Sequence, residues 1–428
     1  MELTLENKSR INCPQCQEIV LKVHGYATWC DKCNWNINPK ENKGPKNLFE
    51  KIYIQAGKKS SEGLLNTMIR NGALYPKVTV RKILTIFSGT VVHLLSLSLC
   101  LSGVYLLIAE FPHILLMIIG VFLIFLAWLT RPKGYTLDTE PLSRERFPVS
   151  YQIVDEIAST FGAGKVHGII INGDFNAAFA QVGLKRKKII QFGLPLIAIL
   201  EKQELVALIS HELAHGINGD LNRGFFIGSA INTLSTWYQI IKPNRLFEPN
   251  GFSFVIAICM IPVNVFLLLV SKLIFVFLYL ICHLNWLDAQ RAEYLADSYA
   301  TKISGKDAKL SLLNKMHLHF LFDFCILKTI NNRNSNPLFE EFKNQAAHIP
   351  EKELERINRI NLMSDSRLDV THPPTANRIS YINSLEYNNP KYQMTDELYN
   401  QFINELSSLK SSIEVKILDD YKSNVLGF

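Results

Sequence analysis

The sequence predicts an α+β protein, mainly helical, that crosses a membrane several times. It also predicts a small β-sheet and a separate cysteine-rich module at the N-terminus. Three observations carry this. The stretches Ile83–Leu129 and Phe252–Leu284 hold almost no charge, while their flanks hold nearly all the Lys, Arg, Asp and Glu. Helical periodicity dominates elsewhere, and only three short runs between residues 166 and 193 read as strands. Four of the eight cysteines fall in two CxxC pairs within the first 33 residues.

Size and charge bound the possibilities. A chain of 428 residues has room for two or three domains. Its net charge of +7 is too modest to call for nucleic acid, and basic residues bordering apolar spans explain it better. The first thirty residues hold no apolar core, so no cleavable secretory signal is expected. Cys100, Cys259, Cys282 and Cys325 lie scattered in apolar surroundings. That is not a secreted disulfide framework, and it suits a reducing compartment.

Within residues 1–40, CPQC and CDKC place Cys13, Cys16, Cys30 and Cys33 where four thiolates can hold one tetrahedral zinc. The segment is too small to build a core, so the metal would supply its folding energy. Two unrelated thiol pairs are the alternative. Such ribbons bind nucleic acid or protein, or stiffen a terminus; the partner is unknown, and Trp29 and Trp35 are read as packing on the knuckles.

Residues 41–82 read as a polar linker with some helix. Residues 83–130 then form two apolar runs split by Glu110 and Pro112, each near the ~20 residues needed to cross the hydrocarbon. Lys77, Arg81 and Lys82 precede the pair, Arg131, Lys133, Arg144 and Arg146 follow it, and the turn has no Lys or Arg. Positive-inside logic makes this a hairpin with both ends cytoplasmic. A buried helix pair in a soluble core is the alternative.

From Glu140 the pattern becomes globular. PVSYQIVDEIASTFG has helical spacing, while VHGIIING, NAAFAQVG and KKIIQFG read as strands. PLIAILEKQELVALISHELAHGINGD then reads as one long helix with Pro195 in its first turn.

On that helix His211 and His215 stand one turn apart and face one point, as two imidazole ligands of zinc require. Glu212 is rotated away by about a hundred degrees, which suits a base acting on metal-bound water. Two exposed histidines without metal are the alternative. A catalytic zinc needs a third protein ligand. Glu293, in DAQRAEYLADSYA beyond the last apolar run, is the best candidate. Asp297, four residues on, could hold the outer nitrogen of a ligating histidine. A solvated helix face is the alternative for this pair.

HELAH with GINGD, then EYLAD, then THPPTANR resemble the HtpX-like membrane metalloproteases and the related CAAX-prenyl proteases, which are gluzincins. The resemblance runs from about residue 80 to 385. It implies a gluzincin-type domain over residues 135–385, with His211, His215 and Glu293 as zinc ligands, Glu212 as catalytic base and Asp297 behind the metal. It also places His372 near the active site as an oxyanion stabiliser and Arg378 as an anchor. The plain reading of HPPT is a rigid turn before a helix. FNAAFA resembles the edge strand that holds substrate, marking Asn176, Ala177 and Ala178, but departs from the family's N-A-F by an additional Ala. A plain core strand is the alternative. The ribbon lies outside the family plan.

His211 and Glu293 must meet on one metal, so the chain between them has to cross the membrane and return. The candidate segments are about 225–241, with a polar stripe of Ser229, Asn232, Thr233, Thr236 and Gln239, and 252–284, interrupted by Pro262 and Asn264. Lys242 and Arg245 then lie on the outer turn, against the charge rule. Residues 386–428 form a helical tail, and EEFKNQAAHIPEKELERINRI reads as a solvated helical stretch.

The resulting expectation is a multi-pass inner-membrane zinc endopeptidase with one catalytic and one structural zinc. Ribbon and active site face the cytoplasm, and the substrates are polypeptides, notably membrane proteins in quality control. The alternatives are a CAAX-type processing protease and an inert zinc-ribbon membrane adaptor.

Overall fold

The computed structural model describes residues 8–39, 48–71, 80–131, 137, 139–183, 186–217, 220–242, 254–332, 336–363, 372–387 and 389–426. The N-terminal module opens with β1 (Lys8–Asn12) and β2 (Ile19–Val23), an antiparallel pair with Lys8 opposite Val23. Gln17 and Asn34, each directly after the second cysteine of a CxxC, have φ of 60° and 58°. The two knuckles therefore turn in the same left-handed way.

The expected linker contains α1 (Leu48–Asn71). The first apolar hairpin is α2 (Val80–Ala109) and α3 (Ile114–Leu129), as its composition predicts. Its helices touch at glycines: a Cβ at Gly103 would lie 2.6 Å from the Gly120 carbonyl oxygen. Leu97, Leu101, Tyr105, Ile108, Leu115, Phe122 and Phe125 point outward, an apolar exterior suited to lipid rather than water.

The globular part follows. α4 (Pro148–Thr160) leads into β3 (Gly168–Asn172), β4 (Ala177–Val182) and β5 (Lys187–Gly193), at the three runs that read as strands in the sequence. The sheet order is β3-β5-β4, with β3 parallel and β4 antiparallel to β5. Among the described residues β4 pairs on one side only, which makes it an edge strand.

The single long helix expected from Pro195 onward is two helices, α5 (Leu194–Ile199) and α6 (Lys202–Ile217). The reason lies in distant side chains. Lys315 Nζ donates to the Ile199 carbonyl at 2.9 Å and the Tyr399 hydroxyl to that of Leu200 at 2.7 Å. Glu204 accepts the Glu201 N–H at 2.6 Å. These partners satisfy the ends that a continuous helix would have joined.

Two helices connect α6 to the third ligand. α7 (Asp220–Ile241) packs against α2, and then α8 (Phe254–Ser304) runs 51 residues without a break. The interruption expected at Pro262 and Asn264 does not occur: Pro262 sits inside the helix near its start. A proline there removes one hydrogen bond, and the long apolar stretch after it carries the helix on. The apolar half of α8 reaches about Leu284 and the rest enters the globular part. By length and composition α2 and α8 qualify as spans, with α3 a shorter apolar helix; α7 does not reach that hydropathy. Its polar stripe faces neighbours: Thr233 Oγ1 donates to the Thr130 carbonyl at 2.9 Å, and Ser229 Oγ lies 3.3 Å from His93 Nε2. A third stretch of similar composition, Lys306–Asn331, is α9 (Lys306–Lys315), a short turn and α10 (His319–Asn331). Its Lys309, Leu312, Leu313 and Phe322 are buried in the globular core.

The chain closes with α11 (Leu338–Ala347), α12 (Glu351–Met363), α13 (Thr375–Ser384) and α14 (Asp396–Tyr421). The main core joins α4, the sheet, α5, α6 and α14 through Ile153, Ile157, Ile190, Phe192, Leu205, Val206 and Phe402. α14 is more than a tail. Its Glu405 accepts the N–H groups of Val149 and Ser150 at 2.9 and 2.8 Å, capping α4 with a carboxylate at the positive end of the helix. Nor are α11 and α12 merely solvated. Phe339 and Phe342 are buried, and α12 carries the ribbon. Lys352 Nζ reaches Asp31 at 2.9 Å, Arg356 donates to the Ile37 carbonyl at 2.9 Å, and Arg359 donates to the Asp31 carbonyl and to Asn34. Trp29, fully buried, lies beneath the Lys352 and Arg359 cations at 4.5 and 5.1 Å from its ring centre.

Candidate active site

His211 and His215 project from α6 with ring centres 5.0 Å apart and planes at 89°. The helix is seated by contact with the sheet: a Cβ at Gly216 would come within 2.7 Å of the Phe179 ring on β4. Only a residue without a side chain lets α6 and the edge strand approach so closely. The globular half of α8 brings Glu293 to the same point. Its Oε2 lies 3.5 Å from His211 Nε2, and its Oε1 lies 3.5 Å from His215 Nε2.

These three ligand atoms lie within 4.8 Å of one another. A tetrahedral zinc with bonds of about 2.0–2.1 Å has edges of about 3.3–3.4 Å, so the spacing fits. Glu293 Oε2 is buried without a hydrogen-bond partner of good geometry, as an oxygen awaiting a cation would be. Burial by itself would raise the Glu293 carboxyl. His211, His372 and Arg378 outweigh that and hold it well below the usual carboxylate range.

Behind His211 sits Asp297, fully buried, with Oδ1 at 3.1 Å from Nδ1. A carboxylate there fixes the ring proton on Nδ1 and leaves Nε2 as the ligand atom. Arg378 on α13 grips Asp297 with two hydrogen bonds of 2.7 Å each. Burial pushes the Asp297 carboxyl up, but Arg378, Lys309 and His211 hold it well below its ordinary value. Glu212 is buried on the next face of α6, and its charge is felt at Arg378. His372, directly before the Pro-Pro turn, has Nδ1 at 3.1 Å from Glu293 Oε2 and an exposed ring.

Asn176 is exposed and immediately precedes β4, where its carbonyl accepts from Gly193 N–H at 2.8 Å. Ala177 and Ala178 pair with Phe192 and Gln191 of β5, with Ala178 exposed. The edge strand beside α6 can accept an extended peptide on its open side.

One residue escaped the sequence reading. Lys309 on α9 is fully buried, 3.0 Å from Asp297 Oδ1 and 3.2 Å from His211 Nδ1. With its proton on Nδ1, His211 donates to Asp297 Oδ1, and the Lys309 ammonium donates to the same oxygen rather than to the ring. The signal was present: Lys309 shares the buried face of α9 with Leu312 and Leu313, three and four residues on.

The second cluster lies in the ribbon. The Cys13 and Cys33 sulfurs are 3.6 Å apart, as are those of Cys16 and Cys30, and all four lie within 4.8 Å. Zinc–sulfur bonds of about 2.3 Å imply edges of about 3.8 Å, so four thiolates fit here too. Burial raises the Cys13 thiol, but backbone hydrogen bonds from Cys16 and Gln15 outweigh it and bring it down to about 7. Burial pushes the neighbouring Cys33 thiol up to about 12, so Cys13 reaches thiolate, the ligating form, before Cys33 does.

Residues 150–386 match the family described as Peptidase family M48. Among curated proteins, a Protease HtpX homolog of Pyrobaculum aerophilum is 23% identical over 246 residues, covering 56% of this chain and 68% of the relative. One from Pyrobaculum calidifontis is 25% identical over 244 residues, with the same coverage. One from Neisseria meningitidis is 25% identical over 216 residues, 49% of this chain and 62% of the relative. The family match takes in α6, the globular half of α8, α9 and α13, all the helices whose side chains meet at Glu293 and Asp297. With more than half its length inside that match, the chain belongs to peptidase family M48 and is an HtpX-like membrane metalloprotease.

Proposed function

We propose that the protein is a zinc endopeptidase that hydrolyses peptide bonds of membrane proteins at the cytoplasmic face of the cell membrane, in protein quality control. The observation that carries this reading is the meeting of His211, His215 and Glu293, with Asp297 behind His211.

Zinc, when held by these three side chains, supplies Lewis-acid chemistry to the scissile carbonyl and to the attacking water. Glu212 accepts the proton of that water and delivers it to the leaving amine. Asp297 keeps His211 in the tautomer that presents Nε2, and Arg378 and Lys309 hold Asp297 in place. β4 receives the substrate as an added strand along Asn176, Ala177 and Ala178, which supplies backbone hydrogen bonds independent of sequence. The exposed His372 donates a hydrogen bond to the oxyanion as charge develops there. Cys13, Cys16, Cys30 and Cys33 hold a second, structural zinc. The basic flanks of the α2–α3 hairpin support an orientation with ribbon and active site together on the cytoplasmic side.

Glu212→Gln tests the core of this reading. The variant is expected to retain two zincs per chain (about one at each cluster,) and to lose cleavage of casein by about 10²–10⁴-fold. Cleavage at the parent's rate would remove Glu212 from the role of base. For the orientation, protease added to sealed inverted vesicles should digest the ribbon; digestion only in right-side-out vesicles would reverse the assignment.

A further inference from the structure

The N-terminal extension grips the protease at two places. At the first, Asp31, Asn34 and Ile37 of the ribbon take the cations Lys352, Arg359 and Arg356, which lie on one face of α12 at spacings of four and three residues. Trp29 is sealed beneath two of them. At the second, α1 lies across α8 and α13. Met68 is fully buried with Tyr294, Leu295, Tyr381 and Leu385, and Asn377 donates to Ser61 Oγ at 3.0 Å. Tyr294 and Leu295 sit between Glu293 and Asp297, and Tyr381 lies one turn beyond Arg378.

α12 has little burial of its own outside this grip. It buries only Glu353 and Ile357 of its thirteen residues, and leaves Leu354, Leu362 and Met363 exposed. It packs against α13, which begins just after His372 and carries Arg378. Among the described residues the ribbon's own core cluster is Cys13, Val20 and Cys30, while Trp29 is buried against α12. So small a core does not fold without metal.

We infer that the ribbon is a clamp on the catalytic helices of its own chain, and that the metal held by its four cysteines sets the order of α12 and α13. This rests on reading the cysteine cluster as a metal site and extends the proposed function. The partner surface of the ribbon is α12, and the two metal clusters work in series. Loss of metal from the ribbon releases α12, and with it the turn that carries His372 and the helix that places Arg378 on Asp297.

Two full-length variants test it. Cys13→Ser with Cys16→Ser removes the ribbon's metal; Lys352→Ala with Arg359→Ala cuts the grip from the protease side and leaves every thiol intact. In both, amide exchange of residues 8–39 should rise together with that of α12 and α13. Casein cleavage should fall by up to about 100-fold, the usual cost of small misplacements at an active site. The α12 pair should still bind two zincs per chain, about one at each cluster. If the ribbon is freed while α12 and α13 exchange as in the parent, the clamp is refuted. If the α12 pair leaves ribbon exchange unchanged, the interface is refuted. Should the cysteine pair not accumulate, the α12 pair decides alone. A parent that does not cleave casein would sink the protease reading, while the exchange measurements would still judge the clamp.

Discussion

The two metal-ligand clusters are built in opposite ways. Cys13 and Cys33 are twenty residues apart, and each knuckle is a local turn with little core around it. His211 and Glu293 are eighty-two residues apart, with α7 and the apolar half of α8 between them, and they converge because a large core and a buried charge network place them. Asp297, Arg378, Lys309 and Glu293 are all essentially inaccessible. In the ribbon the metal is expected to make the structure; in the protease the structure is expected to make the metal site.

The largest test of that contrast is removal of metal. On exhaustive chelation the ribbon should lose all amide protection, since structural zinc supplies about 10–16 kcal/mol in zinc-finger peptides. The strands and α4–α6 should keep theirs. A protease core that unfolds together with the ribbon would break the comparison. A smaller effect comes from Asp297→Ala. It leaves the buried Arg378 and Lys309 facing each other without their carboxylate, a loss of about 3–5 kcal/mol when one member of such a pair is removed. Zinc affinity should fall about 10–100-fold as His211 loses its partner. A variant as stable as the parent would mean the network is not what holds the site. The smallest effect is on pH. Glu293 and Asp297 have folded pKa values held below their ordinary 4.5 and 3.8. The stability they contribute is therefore complete above the ordinary values and is lost as pH falls through the depressed ones. Thermal midpoints should stay level from neutral pH down to about 5 and drop in the acid range below. A decline beginning near neutrality would assign the titration to other groups.

Much of this was legible in the sequence because its causes are local. Uncharged length marks α2 and α8, short apolar runs bounded by glycine and polar residues mark the three strands, and HExxH on a helical pattern marks α6. What escaped was set from far away. The break before α6 is made by Lys315 and Tyr399, more than a hundred residues downstream. Lys352, Arg356 and Arg359 look like solvated charge because their partners, the Asp31 carboxylate, two carbonyls, an Asn side chain and an indole, lie in a module about three hundred residues upstream. Lys309 looks like one more surface lysine until α9 is folded against Asp297.

α8 has a mechanical meaning as well as a topological one. A single unbroken rod passes from the apolar stretch to the carboxylate, and Glu293 lies nine residues, or about 13 Å, beyond the end of the apolar half at Leu284. A change of bilayer thickness that pivots this rod by about 10° at the membrane boundary would carry the carboxylate sideways by about 2 Å, the length of a zinc–oxygen bond. The tilt of the apolar half is thereby coupled, through a stiff lever, to the position of the Glu293 carboxylate.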